Sequence, residues 1–135
     1  MVEGGSHTKY DIKYHFVWIP KYRKGILTKV RRSYLLYLLR RIAREFDLNI
    51  VEVEVMPDHV HLFLESSPRR SPAQIMNIIK SITAREMFKK FPELRQVLWG
   101  GELWGDGYFV ATVGDKVTTE TIREYIRHQR DRTMF

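Results

Sequence analysis

The strongest constraint on this chain lies between Ile50 and Glu65, where side-chain type alternates with a period of two on both sides of Pro57-Asp58. Val51, Val53 and Val55 fall on one side of an extended segment from Ile50 to Met56, with Glu52 and Glu54 on the other. Pro57-Asp58 supplies a tight turn, and the alternation resumes from His59 to Glu65. There Val60, Leu62 and Leu64 point into a core, while His59, His61 and Phe63 point away from it. The pair reads as an antiparallel hairpin with one apolar and one chemically equipped face.

The flanking segments extend this pattern. Tyr10 to Ile19 is aromatic and β-branched and stops at Pro20, which predicts a strand. Tyr14, Phe16 and Trp18 share one of its faces and read as core, the alternative being a stacking platform for bases. A basic loop, Lys21-Tyr22-Arg23-Lys24-Gly25, follows. From Thr28 to Asp47, Val30, Tyr34, Leu35, Leu38, Leu39, Ile42 and Phe46 recur at helical spacing, with Arg31, Arg32, Arg40, Arg41 and Arg44 opposite. Ser71-Pro72 opens a second helix, through Ile75, Ile78, Ile79, Ile82 and Phe88, that ends about Phe91. A Gly and Trp loop from Trp99 to Gly107, a strand from Tyr108 to Val113 and a last helix from about Thr118 to Arg130 complete the chain.

The order β-α-β-β-α-β predicts an α+β, ferredoxin-like (RRM-like) sandwich. Its four-stranded antiparallel sheet carries two helices on one face and leaves the other free, and one more helix follows at the C-terminus. Residues 1–8 read as a flexible leader and 9–135 as a single domain. No apolar run approaches the ~20 residues that span a bilayer, and no signal-peptide pattern opens the chain. Without cysteine there is no disulfide, thiolate nucleophile or Cys-based zinc site. A cytoplasmic setting with no membrane partner is therefore expected. Lys and Arg number 23 against 16 Asp and Glu, for a net charge of +7. A small domain this basic favours polyanions, nucleic acid above all, although a basic surface serving only solubility gives the same count.

Two constellations carry chemistry. His59 and His61 stand two apart on one strand and share a face, where a pair of imidazoles can grip a divalent metal. Taken alone, an H-x-H is a weak signal and is equally two polar residues on a wet strand. On the last helix the inward stripe takes positions 122, 125, 126 and 129, so Tyr125 and Gln129 place polar groups beside Ile122 and Ile126. A buried Gln needs a hydrogen-bond partner or a metal; an exposed helix with a partly packed Tyr is the plainer reading. Together, a cation held by His59, His61 and Gln129 would let the Tyr125 hydroxyl attack a phosphodiester and displace a 3′-hydroxyl. The phosphotyrosine keeps the bond energy, so a second 3′-hydroxyl can rejoin the strand. His128 is the second choice for the third ligand. Lys21, Tyr22, Arg23, Lys24, Arg31 and Arg32 are candidate DNA contacts. No G-x-S-x-G elbow or Walker-type phosphate loop is present.

Several stretches now combine. Tyr14-His15-Phe16-Val17-Trp18-Ile19-Pro20-Lys21-Tyr22-Arg23 and Val55-Met56-Pro57-Asp58-His59-Val60-His61-Leu62 come first. Leu103-Trp104, Gly107 to Gly114 and Tyr125-Ile126-Arg127-His128-Gln129 follow. In order and spacing this set resembles the HUH single-tyrosine transposases (TnpA) of the smallest bacterial and archaeal insertion sequences, the IS200-like family. The likeness covers nearly all of the chain after residue 8 and departs at Gly105-Asp106-Gly107. It implies Tyr125 as the catalytic nucleophile, His59, His61 and Gln129 as ligands of Mg²⁺ or Mn²⁺, and cleavage to a 5′-phosphotyrosine. It further implies single-stranded DNA with hairpins as substrate, and a homodimer in which the tyrosine helix can complete the partner's histidine site. Three other readings remain: a domesticated hairpin-cutting relative, a non-catalytic single-strand binding module, and a metal-dependent phosphoesterase that uses water.

Overall fold

The computed structural model describes residues 3–4, 9–112, 121 and 123–128. In chain order its elements begin with β1 (Glu3–Gly4), β2 (Lys9–Tyr10) and β3 (Ile12–Trp18), then a 3₁₀ turn at Lys21–Arg23 and α1 (Lys29–Glu45). The hairpin strands β4 (Asn49–Met56) and β5 (His59–Ser66) come next, followed by α2 (Pro72–Lys90), α3 (Leu94–Val97) and β6 (Phe109–Thr112). Residues 121 and 123–128 are helical. β1 pairs with β2 in a short ladder of its own, and the main sheet is antiparallel in the order β4-β5-β3-β6. This is the expected ferredoxin-like sandwich, with β3 and β5 in the middle.

The alternation decides which face is covered. Phe16, Trp18, Val60, Leu62 and Leu64 are buried in one cluster with Leu35, Leu38 and Ile42 of α1 and Ile75 and Ile79 of α2. Tyr14 packs against the same cluster, so the aromatic face of β3 is core and is not open to bases. α2 starts where Ser71-Pro72 indicates: the Ser71 hydroxyl accepts from the Gln74 amide N–H and the Gln74 side chain accepts from the Ser71 N–H, a capping box. Inside α2 the buried positions also include Met76, Thr83 and Met87. Thr83 donates to the Ile79 carbonyl and accepts from the Trp104 indole N–H at 2.9 Å, which satisfies both groups within the core.

Three details depart from the sequence reading. Val51 is exposed and not on the core face, because β4 carries a β-bulge between Ile50 and Glu52. Ile50 and Glu52 pair with consecutive residues of β5, and Val51 is the inserted residue. Val30 is also exposed, at the second position of α1, before the helix meets the sheet. The short α3, with buried Leu94, lies between α2 and the Gly and Trp loop, where the sequence indicates no element. Val113 and, of the span expected for the last helix, residues 118–120, 122, 129 and 130 lie outside the described residues. No helix of the described residues is long and apolar enough to cross a membrane.

The loop before β6 is tied to the sheet's end. Pro20 and Trp104 form a bridge, the Lys21 amide donates to the Leu103 carbonyl, and the Gly105 amide donates to the Ile19 carbonyl at 2.8 Å. A Cβ on Gly105 would stand 3.2 Å from the Ile19 side chain, tighter than an ordinary contact, so a larger residue here would require Ile19 to shift. Lys80 reaches from α2 to the carbonyls of Gly105 and Gly107 at 2.9 and 2.6 Å. The Gly105-Asp106-Gly107 segment is thus anchored by its own backbone carbonyls. Burial pushes the Lys80 amine down to about 8.

Candidate active site

The uncovered face follows from the register. Residues directly opposite in an antiparallel ladder share a face, and Val17 lies opposite both His61 of β5 and Phe109 of β6. His15 lies opposite Phe63 and Ala111, Glu54 opposite His61, and Met56 opposite His59. The open face therefore runs from Glu52 and Glu54 on the β4 edge, across the histidines of β5, to Val17 and Phe109.

His59 and His61 stand edge to face with ring centroids 4.9 Å apart, both partly buried. Asp58, read from sequence only as a turn residue, accepts a hydrogen bond from His59 Nδ1 at 2.9 Å on Oδ1. Its other oxygen accepts from Arg23 Nε at 2.9 Å. Burial alone would raise the Asp58 carboxyl, but the bond from His59 and the nearby Arg23 outweigh it and hold it below its ordinary value. An ionised carboxylate only accepts, so His59 carries its proton on Nδ1 and presents the Nε2 lone pair. His61 Nδ1 in turn lies 3.4 Å from His15 Nε2, which leaves Nε2 as its outward nitrogen. Burial first, then the neighbouring His59 and His15, push the His61 imidazole below its usual range, and burial does the same to His15. The neutral form so favoured is the one that binds a cation.

This donor set fits a divalent metal. Two imidazoles sit side by side, one carries an outer carboxylate, and an open pocket of about 230 Å³ adjoins His61, lined also by His15, Glu52, Glu54 and Phe63. Among the described residues no group of three or more His, Cys, Asp or Glu side chains is arranged to hold a metal. The third ligand expected, Gln129, lies outside the described residues, as does Ile122 of the same stripe.

Tyr125 and Ile126 do lie on the inward side of the last helix. Ile126 is buried with Val17 and Ile19, and Tyr125 packs against this second cluster with its ring 6.0 Å from that of Phe109. Tyr125 is thus on the open face, near β6, with Val17 of β3 between the Phe109 and His61 columns. His128 is exposed. His15 could have been found from sequence, since it has the opposite phase to Tyr14, Phe16 and Trp18 and hence the phase of the open face. The role of Asp58 shows only in three dimensions.

The candidate DNA contacts cluster around the 3₁₀ turn and the start of α1, and each charged one already has a protein partner. Lys21 pairs with Glu102, Arg31 with Glu93, Arg32 donates to the Val55 carbonyl and Lys24 to that of Val97. Tyr22 meets Trp99, with ring centroids 5.3 Å apart. Arg23 serves Asp58.

Comparison with known proteins sets this geometry in a family. The family model described as transposase IS200 like matches residues 8–129. The ISDra2 transposase TnpA of Deinococcus radiodurans is 38% identical over 123 residues, 91% of this chain and 87% of that protein. The transposase for insertion sequence element IS200 of Salmonella typhimurium is 33% identical over 124 residues, 92% of this chain and 80% of that protein. A crystal structure of a putative transposase from Deinococcus radiodurans superposes with a TM-score of 0.86 at 39% identity, covering 96% of this chain and 98% of that one. A tyrosine transposase associated with REP elements and bound to a REP hairpin shares the fold, with a TM-score of 0.54 at 12% identity over 91% of this chain and 68% of that one.

Proposed function

This chain belongs to the IS200-like transposase family, and from that membership we propose that it cuts and rejoins single-stranded DNA through Tyr125, with a divalent metal at His59 and His61. The observation that supports this reading is the open face itself, where β5 carries the paired imidazoles and the last helix packs the half-buried Tyr125 against Val17 and Phe109 of the same face.

The Tyr125 phenol oxygen forms a bond to phosphorus as the P–O3′ bond breaks. The phenolic proton is lost to solvent, and the departing 3′-oxygen takes one up. What remains is a 5′-phosphotyrosine and a free 3′-hydroxyl; attack by another 3′-hydroxyl reverses the exchange without an outside energy source. A tyrosine hydroxyl titrates near 10 and needs assistance at neutral pH. His59 and His61, with Gln129 as the proposed third ligand, would hold Mg²⁺ or Mn²⁺, which would supply that assistance by polarising the phosphodiester and offsetting developing charge. Asp58 fixes the His59 tautomer, and Arg23 holds Asp58.

The substrate in this reading is a strand with hairpins near the element ends, in line with the REP hairpin held by the distant relative of the same fold. The working unit is residues 9–135 as a homodimer, the tyrosine helix serving its own histidine pair or the partner's. Binding without chemistry is the less favoured reading, since Phe16 and Trp18 are buried and cannot stack bases.

The test is incubation with end-derived hairpin DNA and Mn²⁺ or Mg²⁺, followed by denaturing electrophoresis. A metal-dependent protein–DNA adduct should form and should vanish in Tyr125→Phe and in His59→Ala. Cleavage without an adduct that survives Tyr125→Phe would mean that water is the nucleophile and would refute the reading. Mixing the two variants separates the dimer arrangements: an adduct regained in the mixture means a site shared between subunits.

A further inference from the structure

Beside the candidate metal pair the surface carries an aromatic feature that the catalytic reading does not use. Trp99 is 72% exposed, the most exposed large apolar side chain among the described residues. Its backbone lies in the left-handed region at φ 54°, as do Tyr22 at φ 60° and Arg23 at φ 52°. Bulky residues avoid this region, so the surrounding structure must hold them there. Two such strained aromatics, 77 positions apart in sequence by their numbering, meet with ring centroids 5.3 Å apart and planes tilted 58°. Lys24 Nζ lies 4.0 Å from the centre of the Trp99 ring, and Lys21 lies 5.8 Å from that of Tyr22. Apolar ring surface is therefore held in water and ringed by positive charge.

We propose that Tyr22 and Trp99 form a stacking platform for one unpaired base of the DNA strand, with Lys21 placed for a flanking phosphate. The inference rests on the reading of this chain as an enzyme of single-stranded DNA and names where part of that strand is held. Charge complementarity selects the occupant: an aromatic surface among lysines suits a base on a phosphate backbone better than an apolar protein segment. The Lys21–Glu102 pair is surface-exposed and of the kind worth little in water, so Lys21 can exchange it for a phosphate. Location gives the platform a purpose. Tyr22 is followed by Arg23, which binds Asp58, which binds His59. A base stacked here thus lies next to the chain of contacts that orients the metal-binding pair. Stacking is tolerant of sequence, so the platform would add affinity and placement and leave the choice of sequence to other contacts.

Trp99 is its own reporter, because Trp18 and Trp104 are 0% and 6% exposed. A short oligothymidylate, titrated into the Tyr125→Phe protein to prevent cleavage, should quench the tryptophan emission. Anisotropy of a labelled oligothymidylate should show Trp99→Ala weakening binding about tenfold and Trp99→Phe retaining most of it. Circular dichroism of both variants should match wild type, since the side chain is mostly in water. Binding with unchanged emission, Trp99→Ala binding within about twofold of wild type, or no binding of the oligonucleotide by wild type would each overturn the platform. Adduct formation on end-derived hairpins, run in parallel, keeps the two readings apart. An adduct without a change in Trp99 emission sinks the platform alone, and quenching without any adduct sinks the tyrosine mechanism alone.

Discussion

On β5, neighbouring residues occupy opposite environments. Val60, Leu62 and Leu64 are at most 1% exposed beneath α1 and α2, whereas His59, His61 and Phe63 between them keep part of their surface in water. The covered face is apolar, and the Trp104 indole N–H buried there is matched locally by Thr83. The open face collects imidazoles and carboxylates on the same strands, and the last helix packs Tyr125 against it. Each strand thus serves two purposes at a period of two, and the packed face fixes the spacing of reactive groups that would otherwise be free to move.

The sharpest way to break this comparison is to truncate two adjacent residues. Leu62→Ala should lower stability by about 2–5 kcal/mol in urea melts, through lost burial and the cavity left behind. His61→Ala should change stability by less than about 1 kcal/mol while abolishing metal-dependent adduct formation. Equal destabilisation by both would mean that the open face is structural, and the division of labour between the faces would fall.

The second test stays on the open face. Asp58→Ala removes the acceptor that sets the His59 tautomer, and partners of this kind are typically worth 10–100-fold in metal affinity or activity. Adduct formation should fall by about that factor, with a higher Mn²⁺ concentration needed for half the effect. Arg23→Ala should act in the same direction but less strongly, because Asp58 keeps its bond to His59. If Arg23 contacted only a phosphate, its loss would instead flatten the salt dependence of DNA binding and leave the metal requirement alone.

A third test moves to the covered face. Thr83→Val keeps the shape but leaves the Trp104 indole N–H without its 2.9 Å acceptor. An orphaned buried donor costs about 1–3 kcal/mol, so thermal unfolding should shift downward while adduct formation on the folded protein stays near wild type. A loss of activity at unchanged stability would instead tie the Trp104 loop to catalysis.

The elements that alternate cleanly or recur at helical spacing were legible, because burial on one side imposes the period directly. Ser71-Pro72 located the start of α2 and the Pro57-Asp58 turn located the hairpin. The pairing of His59 with His61 followed from phase alone, and so did the inward side of Tyr125. Contacts between side chains distant in sequence were not legible. Asp58 looked like a turn residue because nothing local says that Arg23 will reach it across 35 positions. Trp99 looked like an ordinary loop aromatic because its partner Tyr22 lies in another loop. α3 was missed for another reason: Leu94–Val97 is one short turn, too brief for a period to register.

The smallest expected effect bears on where alternation itself misled. Read by period, Val51 and Val55 are equivalent core positions of β4. With Val51 inserted as a bulge, it is 51% exposed while Val55 is 2% exposed. Val51→Ser should therefore change stability by no more than about 0.5 kcal/mol, and Val55→Ser should cost several times that, since it places a hydroxyl among Val60 and its apolar neighbours. Urea midpoints of the two variants decide the matter. Equal losses would mean that the ladder runs without the bulge. The phase of β4 beyond that point would then reverse for Asn49 and Ile50 relative to β5, while Glu52 and Glu54 would keep theirs. The open face would survive even that result, because its register with His61 and Phe63 is set on the turn side of the bulge.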